Sequence, residues 1–441
     1  KFSIQIHSIS RERLITIEIP SQKYRFVFSL NYDEVRTIDL PPFDLEPNGS
    51  GVTTDLAIHI SSSSPVEATA IHDRPYFSAA TKLFSYATLG QEYQILAAED
   101  EFNRSPSSFL IVAAHNNTKI EICLNPCGQG GTYERTLNRG QTYQIQSSRD
   151  LTGAEIKSNK PVAVFAGARQ AAFIEGDDSH IFYSLPPTYL INNNFVVIPD
   201  LGRENQTYVI VLGYEDNTIV DIGNEKITLN KGEKKHLKIS KPTLINSSES
   251  VLIGQYHSGF DQKRENGPSM IVTQPLTSMI QRASFKTKEN FGGSKLKHAI
   301  TLITFDTSSL TLNGTKVTSF NRIQNSTLYY KKLPVEEGVY NVSSDSRFLG
   351  QVYGGSFAEY YSFSMGYNDT LVVNPYKYRD DIDCNIWKIA PNINRGSFKI
   401  FSDSKEYTPS TFEVFNSLGQ SIVNPQLLID ANKQITLSVA P

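Results

Sequence analysis

A chain of 441 residues is longer than one hydrophobic core usually organises, so several units or a repeat array are expected. Hydrophobic residues make up 39% and charged residues 20%, enough for packed interiors, while a formal net charge of -3 gives no global positive field to draw nucleic acid. No apolar run approaches the roughly 20 residues of a membrane-spanning helix, and a local basic patch, Lys231 to Lys241, is the main departure from charge balance.

The chain opens directly on a strand-like Lys1-Phe-Ser-Ile-Gln-Ile, so a signal peptide is expected to have been removed or to lie outside this sequence. Four phrases then recur in one order. The first is a β-run, a tight turn and a second β-run, which reads as a hairpin: Phe109 to Ala114 into Asn116 to Ile122, Tyr208 to Leu212 into Asp216 to Ile222, and Ile300 to Thr304 into Ser309 to Leu312. The second is a turn carrying Leu137 with Gly140, Leu229 with Gly232, and Val335 with Gly338. The third is an alternating run, Tyr143 to Ser147, His236 to Ser240 and Tyr340 to Ser344, in which one residue in two faces a core. The fourth is a Ser-containing turn before an apolar strand ending near glycine: Ile156 to Gly167, Ser250 to Gly254, Arg347 to Gly350 and, in an earlier copy, Ile58 to Ala68.

The period, about 90 to 100 residues, suits a small β-sandwich or a pair of propeller blades, and helix is scarce. The expected fold is all-β, tandem sandwich-like units with a propeller-like closed array as the alternative. The expected spans are residues 1–75, 76–180, 181–270 and 271–369, followed by a divergent β segment over 370–441.

The phrase Ile-x-Ser-x-x-Pro-Val-x-Val with its glycine-terminated strand resembles the N-terminal domain family of the IgG Fc-binding protein. So do Asp178 to Pro187 leading into Phe195 to Pro199, and Gly267 to Pro275, over roughly residues 20–370. Two departures stand out: Gly267 replaces the family's usual Asp, and Asn192 to Asn194 fall where a Trp-Gly is typical. The resemblance implies an extracellular, repetitive β domain of mucosal, matrix or cell-surface proteins.

Compartment is also read from Asn-x-Ser/Thr triplets at Asn48, Asn116, Asn205, Asn246, Asn313, Asn325, Asn341 and Asn368, mostly in predicted turns where a glycan would project into water. A ninth, Asn103, is discounted because Pro106 follows its Ser105. Three cysteines exclude a disulfide-stapled miniature fold. Cys123 and Cys127 flank a turn and are read as a disulfide, with free thiols as the alternative, while Cys384 is expected to be buried beside Trp387.

Candidate chemistry is sparse. Glu175, Asp177, Asp178 and His180 form the most acid-rich cluster containing a histidine, and could ligate calcium, but neighbouring residues on a strand point to opposite faces, so a turn-stabilising role is preferred. His72-Asp73-Arg74-Pro75 reads as a linker with an Asp–Arg pair. His257, Ser258 and Asp261 hold triad residue types without a Gly-x-Ser-x-Gly elbow. Gly128 to Gly131 lacks the Lys-Ser/Thr of a phosphate loop and reads as a hairpin loop. The mixture of Gly, Ser and aromatics around Tyr353, Phe357, Tyr360 and Tyr361 is the candidate contact surface. The chain is therefore read as a non-catalytic extracellular binding or adhesion module without cofactor, whose partner is a protein or glycan. A self-associating mucus or matrix component is the alternative, and a metal-dependent hydrolase the least favoured reading.

Overall fold

The computed structural model describes residues 1–8, 13–74, 77–97, 105–124, 127, 131–174, 177–205, 207–223, 225–257, 268–289, 295–356, 359–368 and four strands beyond. The described fold is all-β, its only helices being three-residue 3-10 turns.

The first unit holds β1 (Phe2–Ser8), β2 (Arg13–Ile19), β3 (Tyr24–Leu30), β4 (Val35–Asp39), β5 (Thr53–Thr54), β6 (His59–Ser62), β7 (Val66–Arg74) and β8 (Phe77–Lys82). The second holds β9 (Gly90–Gln94), β10 (Ser107–Ala113), β11 (Thr118–Cys123), β12 (Thr132–Leu137), β13 (Thr142–Ser147), β14 (Glu155–Ile174) and β15 (Asp177–Ser184). The third repeats that order as β16 (Asn192–Val197), β17 (Thr207–Gly213), β18 (Thr218–Asp221), β19 (Lys226–Leu229), β20 (Lys234–Lys238), β21 (Thr243–His257) and β22 (Ser269–Val272). The fourth runs β23 (Ile280–Lys286), β24 (Lys297–Thr304), β25 (Thr311–Leu312), β26 (Thr315–Lys316), β27 (Asn321–Arg322), β28 (Tyr329–Val335), β29 (Val339–Ser356) and β30 (Glu359–Ser364). A separate sheet joins β31 (Trp387–Asn392), β32 (Ser397–Ser402), β33 (Gln426–Ile429) and β34 (Ile435–Ser438).

Each full unit is organised by one long strand. In the second unit β14 pairs with β9 and β11 along its early half and with β10 and β15 along its later half. The register shifts between Lys157 and Val162, where Pro161 cannot donate to a ladder, so one strand bends from one layer into the other. What reads in sequence as a turn before a strand is this bend. The expected hairpins are corrected by the same pairing: β10 and β11 flank β14 in the order β12-β11-β14-β10-β13, and β17 and β18 flank β21 likewise. The connecting turn looks the same in sequence whether its two strands pair with each other or with a third between them. The expected glycine turns hold at Gly140 and Gly232, both at positive φ (81° and 76°), where any Cβ is disfavoured.

Alternation fills the cores. In β10, Phe109, Ile111 and Ala113 are buried against Ile145, Ile156 and Val164, while Leu110 and Val112 face the other way. The units then close on themselves: β8 contacts β15, β15 contacts β22, β22 contacts β30, and β30 contacts β8. The closed array left open by the sequence is thus the arrangement adopted. Its centre is stitched by small hydroxyls, Thr81 with Ser184 (3.1 Å) and Ser269 with Ser362 (3.3 Å).

The pairs Gly90–Val162, Asn192–Val251 and Ile280–Phe348 fix the equivalence of the long strands. By that register Gly167, Gly254 and Gly350 occupy three different positions, although the sequence phrase aligns them. Each is needed locally. A Cβ on Gly167 would lie 2.0 Å from the Ile181 carbonyl oxygen, whereas on Gly254 it would meet first the Met270 terminal methyl, at 2.2 Å. Gly167→Ala is expected to cost about 3 kcal/mol, the upper end of overpacking, because a paired backbone must move. Gly254→Ala is expected to cost less than about 1.5 kcal/mol, because a flexible side chain can yield. Urea unfolding of both variants checks the order.

Candidate functional site

Adjacent units bury a shared face. In the third unit Ile210, Leu212 and Leu252 are buried against the second, in one core cluster with Leu96. In the fourth, Ile303 and Leu349 pack on Val196 and Ile198 of the third. The register makes Leu110, Val112 and Ala163 the corresponding residues of the second unit, opposite the first, and there the face is only partly covered. It forms the floor of a cleft of about 2330 Å³ between the first and second units, lined also by Ile280, Arg282 and Arg347 of the fourth.

The cleft is built mainly from three parts. Phe165 of β14 stacks on Phe182 of β15, with ring centroids 5.5 Å apart. A strap from the first unit crosses to the second: Gln144 Nε2 donates to the carbonyls of Pro47 (2.9 Å) and Gly49 (3.0 Å), and β5 pairs with β13. Deeper in, His72 Nδ1 lies 2.9 Å from His180 Nε2, with Glu46 3.7 Å from the other His72 nitrogen and ion-paired to Arg74. Burial lowers His72 to about 3, helped by the positive charge His180 would carry and by Arg74, and burial lowers His180 to about 4, with Arg74 adding to it. Both imidazoles are therefore neutral near pH 7, and one donates to the other. Among the described residues no three His, Cys, Asp or Glu converge to hold a metal ion.

The sequence candidates are placed as follows. Tyr353, Tyr360 and Tyr361 are 2%, 3% and 0% exposed, so the expected contact surface is corrected to an interior seam; Phe357 lies outside the described residues. The Tyr353 hydroxyl accepts from Leu201 N (3.0 Å), Tyr360 donates to Asp200 (2.6 Å) beneath the Arg203 guanidinium, and Tyr361 accepts from Lys288 N (3.2 Å). Tyrosine suits this role because it fills volume while its hydroxyl serves buried polar groups. Asp73 is likewise no linker residue: it sits buried in β7, within 3.3 Å of the Lys288 ammonium. Asp177 and Asp178 open β15, and His257 ends β21. Glu175, Ser258, Asp261, Gly128, Cys384 and Asn103 lie outside the described residues. Cys123 and Cys127 are joined as a disulfide, with Cα atoms 5.3 Å apart. Two lysines of the basic patch are neutralised across a unit boundary, Lys231 by Glu155 (2.9 Å) and Lys234 by Asp150 (2.6 Å).

The His72–His180 pair and the cleft floor escaped sequence reading. The two histidines are separated by 108 positions, and nothing local to either signals the other.

A cyclic β array of related units, with one inter-unit face left open as a cleft, defines the class: a repetitive all-β module. The family described as "IgGFc binding protein" matches residues 79–354, and the chain belongs to that family. It is 26% identical over 184 residues to the human (Homo sapiens) protein named IgGFc-binding protein, an alignment covering 40% of this chain and 3% of that one. Among solved structures, an α-L-rhamnosidase from Streptomyces avermitilis aligns at 9% identity and a TM-score of 0.15, covering 75% of this chain and 47% of the other, too distant to inform fold or chemistry.

Proposed function

We propose that the chain is a binding module of an extracellular glycoprotein that recognises a protein partner in the cleft between its first and second units, without turnover. The observation that carries this reading is the partly exposed apolar face of Leu110, Val112 and Phe165, whose counterparts in the third and fourth units include the buried Ile210, Leu212 and Ile303. An apolar floor with polar walls is the usual make-up of a recognition groove. Membership of a family named for binding supports the same reading.

The test compares proteins captured from extracellular extracts by the intact chain and by Phe165→Asp, a change on the cleft side of β14. A species captured at least about tenfold less by the variant is expected, in keeping with loss of an aromatic anchor. Equal capture by a variant of unchanged stability would remove the cleft from the reading.

Glycosylation is proposed at Asn48, Asn116, Asn205, Asn246, Asn313 and Asn325, whose side chains are exposed. Asn341 is half-buried, and Asn368 Nδ2 donates to the Met279 carbonyl (3.0 Å), so the nitrogen that would carry a sugar is already engaged. Chain secreted from eukaryotic cells should show the six occupied and Asn368 bare, by peptide mass spectrometry after enzymatic deglycosylation in heavy-oxygen water.

A further inference from the structure

In the second, third and fourth units a first strand lies against the early half of the long strand: β9 on β14, β16 on β21, β23 on β29. Past its end, the second unit lays Leu96 over Gly254 of the third, and the third packs Ile198 toward the fourth. In the first unit the corresponding early half is β6, which among the described residues pairs with β2 alone. Ser63 N–H donates to the Leu14 carbonyl. Antiparallel alternation from that bond turns the backbone groups of Ile60 and Ser62 away from β2, toward the open edge. Both residues line the cleft. Among the described residues this position therefore lacks both an edge partner and the apolar cap that follows the first strand of the second and third units.

Charge identifies the occupant. The carboxylates lining the cleft are engaged: Glu18 with Arg25, Glu46 with Arg74, Glu67 with Lys82. Arg139, Arg169, Arg282 and Arg347 also line it, and none has a carboxylate partner among the described residues. The excess is positive in a chain whose net charge is -3. We propose that the cleft takes an extended acidic segment of a partner protein, which adds a strand to the open edge of β6 and lays an apolar side chain on Leu110, Val112 and Phe165. Backbone pairing gives such a site affinity, the apolar contact fixes register, and the arginines select for carboxylates. This deepens the cleft reading above and rests on it.

The probe is a synthetic peptide with the sequence of residues 90–101, which supplies the Leu96-type cap and the carboxylates of Glu92, Glu99, Asp100 and Glu101. Titrated into the intact chain and followed by fluorescence polarisation, it is expected to bind with a Kd below about 100 µM, as a short strand-adding ligand with one anchor would. A scrambled peptide, and one with its carboxylates replaced by amides, should bind at least about tenfold more weakly. Ser62→Pro, which removes an outward N–H from the edge, and Arg347→Glu should each weaken the probe by a similar factor. If Ser62→Pro does not fold, Leu110→Lys takes its place. Binding that ignores Ser62→Pro, or that a heparin oligosaccharide reproduces with the same insensitivity, would overturn strand addition in favour of plain polyanion attraction. No binding at about 1 mM, with Ser62→Pro lowering the stability of the free chain, would overturn it by showing the edge held by the chain itself. If the probe fails while Phe165→Asp still abolishes capture from extracts, this inference falls and the cleft reading stands.

Discussion

Lys288→Met is expected to destabilise the protein by about 3–5 kcal/mol, the largest effect of any single substitution considered, because it strips the cation from two buried carboxylates. Lys288 is 1% exposed; its ammonium bonds Glu359, lies 3.3 Å from Asp73, and donates to the Glu289 carbonyl. The Ser78 hydroxyl lies between the two carboxylates, within hydrogen-bond distance of each, and its single proton serves one at a time. Burial pushes the Asp73 carboxyl up, against the opposing pull of Lys288, so the cluster holds together only while the lysine is present. Asp73 and Ser78 come from the first unit, Lys288 and Glu359 from the fourth, so the cluster sits on the seam that closes the ring. Ile71 and Ala80 pack into the core of the fourth unit beside it, which keeps water from the charges. Urea unfolding should show the loss, and limited proteolysis should cut the variant at the seam before its other units. The triple variant Lys288→Met, Asp73→Asn, Glu359→Gln removes every charge and is expected to recover most of the stability, since the penalty lies in uncompensated charge. A single variant that loses under about 1 kcal/mol would show the carboxylates to be solvated.

The seam also marks where sequence reading stops. Apolar runs located strands: the continuous run Phe109 to Ala113 lies in β10, although only the structure shows its residues falling one in two on the core. The repeated phrases recur where a long strand bends, as the register shifts of β14, β21 and β29 show. Neither says which strands pair, because β10 and β11 are joined by a turn that would serve a hairpin equally well. Nor does either disclose closure, which depends on contacts such as Ser78 to Glu359, separated by 281 positions. The tyrosines near Tyr360 depart from the sequence expectation for a related reason. Gly, Ser and Tyr together make an adaptable surface loop when exposed. The same residues make a tight seam when buried: a Cβ on Gly354 would lie 2.8 Å from His298 and Tyr361. Composition does not distinguish the two; burial does. The cleft was illegible because it is a difference between copies, visible only once register shows that Leu110 corresponds to the buried Ile210.

Acidification from pH 7 to pH 5 is expected to cost the folded state roughly 5 kcal/mol through the buried His298 and the half-buried His72 and His180, mostly above the range in which carboxylates of the unfolded chain titrate. Burial lowers His72 to about 3, His180 to about 4 and His298 to about 4, the last with Lys288 contributing. In the unfolded chain each would titrate near the ordinary histidine value of about 6.5. Below that value the unfolded state binds more protons than the folded one, so stability falls as pH falls. The loss continues until the folded imidazoles take up protons themselves, near pH 3 to 4. Each histidine held neutral contributes about 2 kcal/mol over this interval. The window is set above the carboxylate range because Glu67 and Glu204, both lowered in the folded state, add their own acid-side loss only below about pH 4.5. Urea midpoints at half-unit steps should therefore fall steadily from pH 6.5 downward, and His72→Asn with His180→Asn should flatten roughly two thirds of that slope. The cation in the imidazole pair would otherwise have to sit 2.9 Å from a second ring, beside Arg74. A pH-independent midpoint between 7 and 5 in the intact chain would mean that the pair accepts a proton in place, and that the base of the cleft is wetter than its packing indicates.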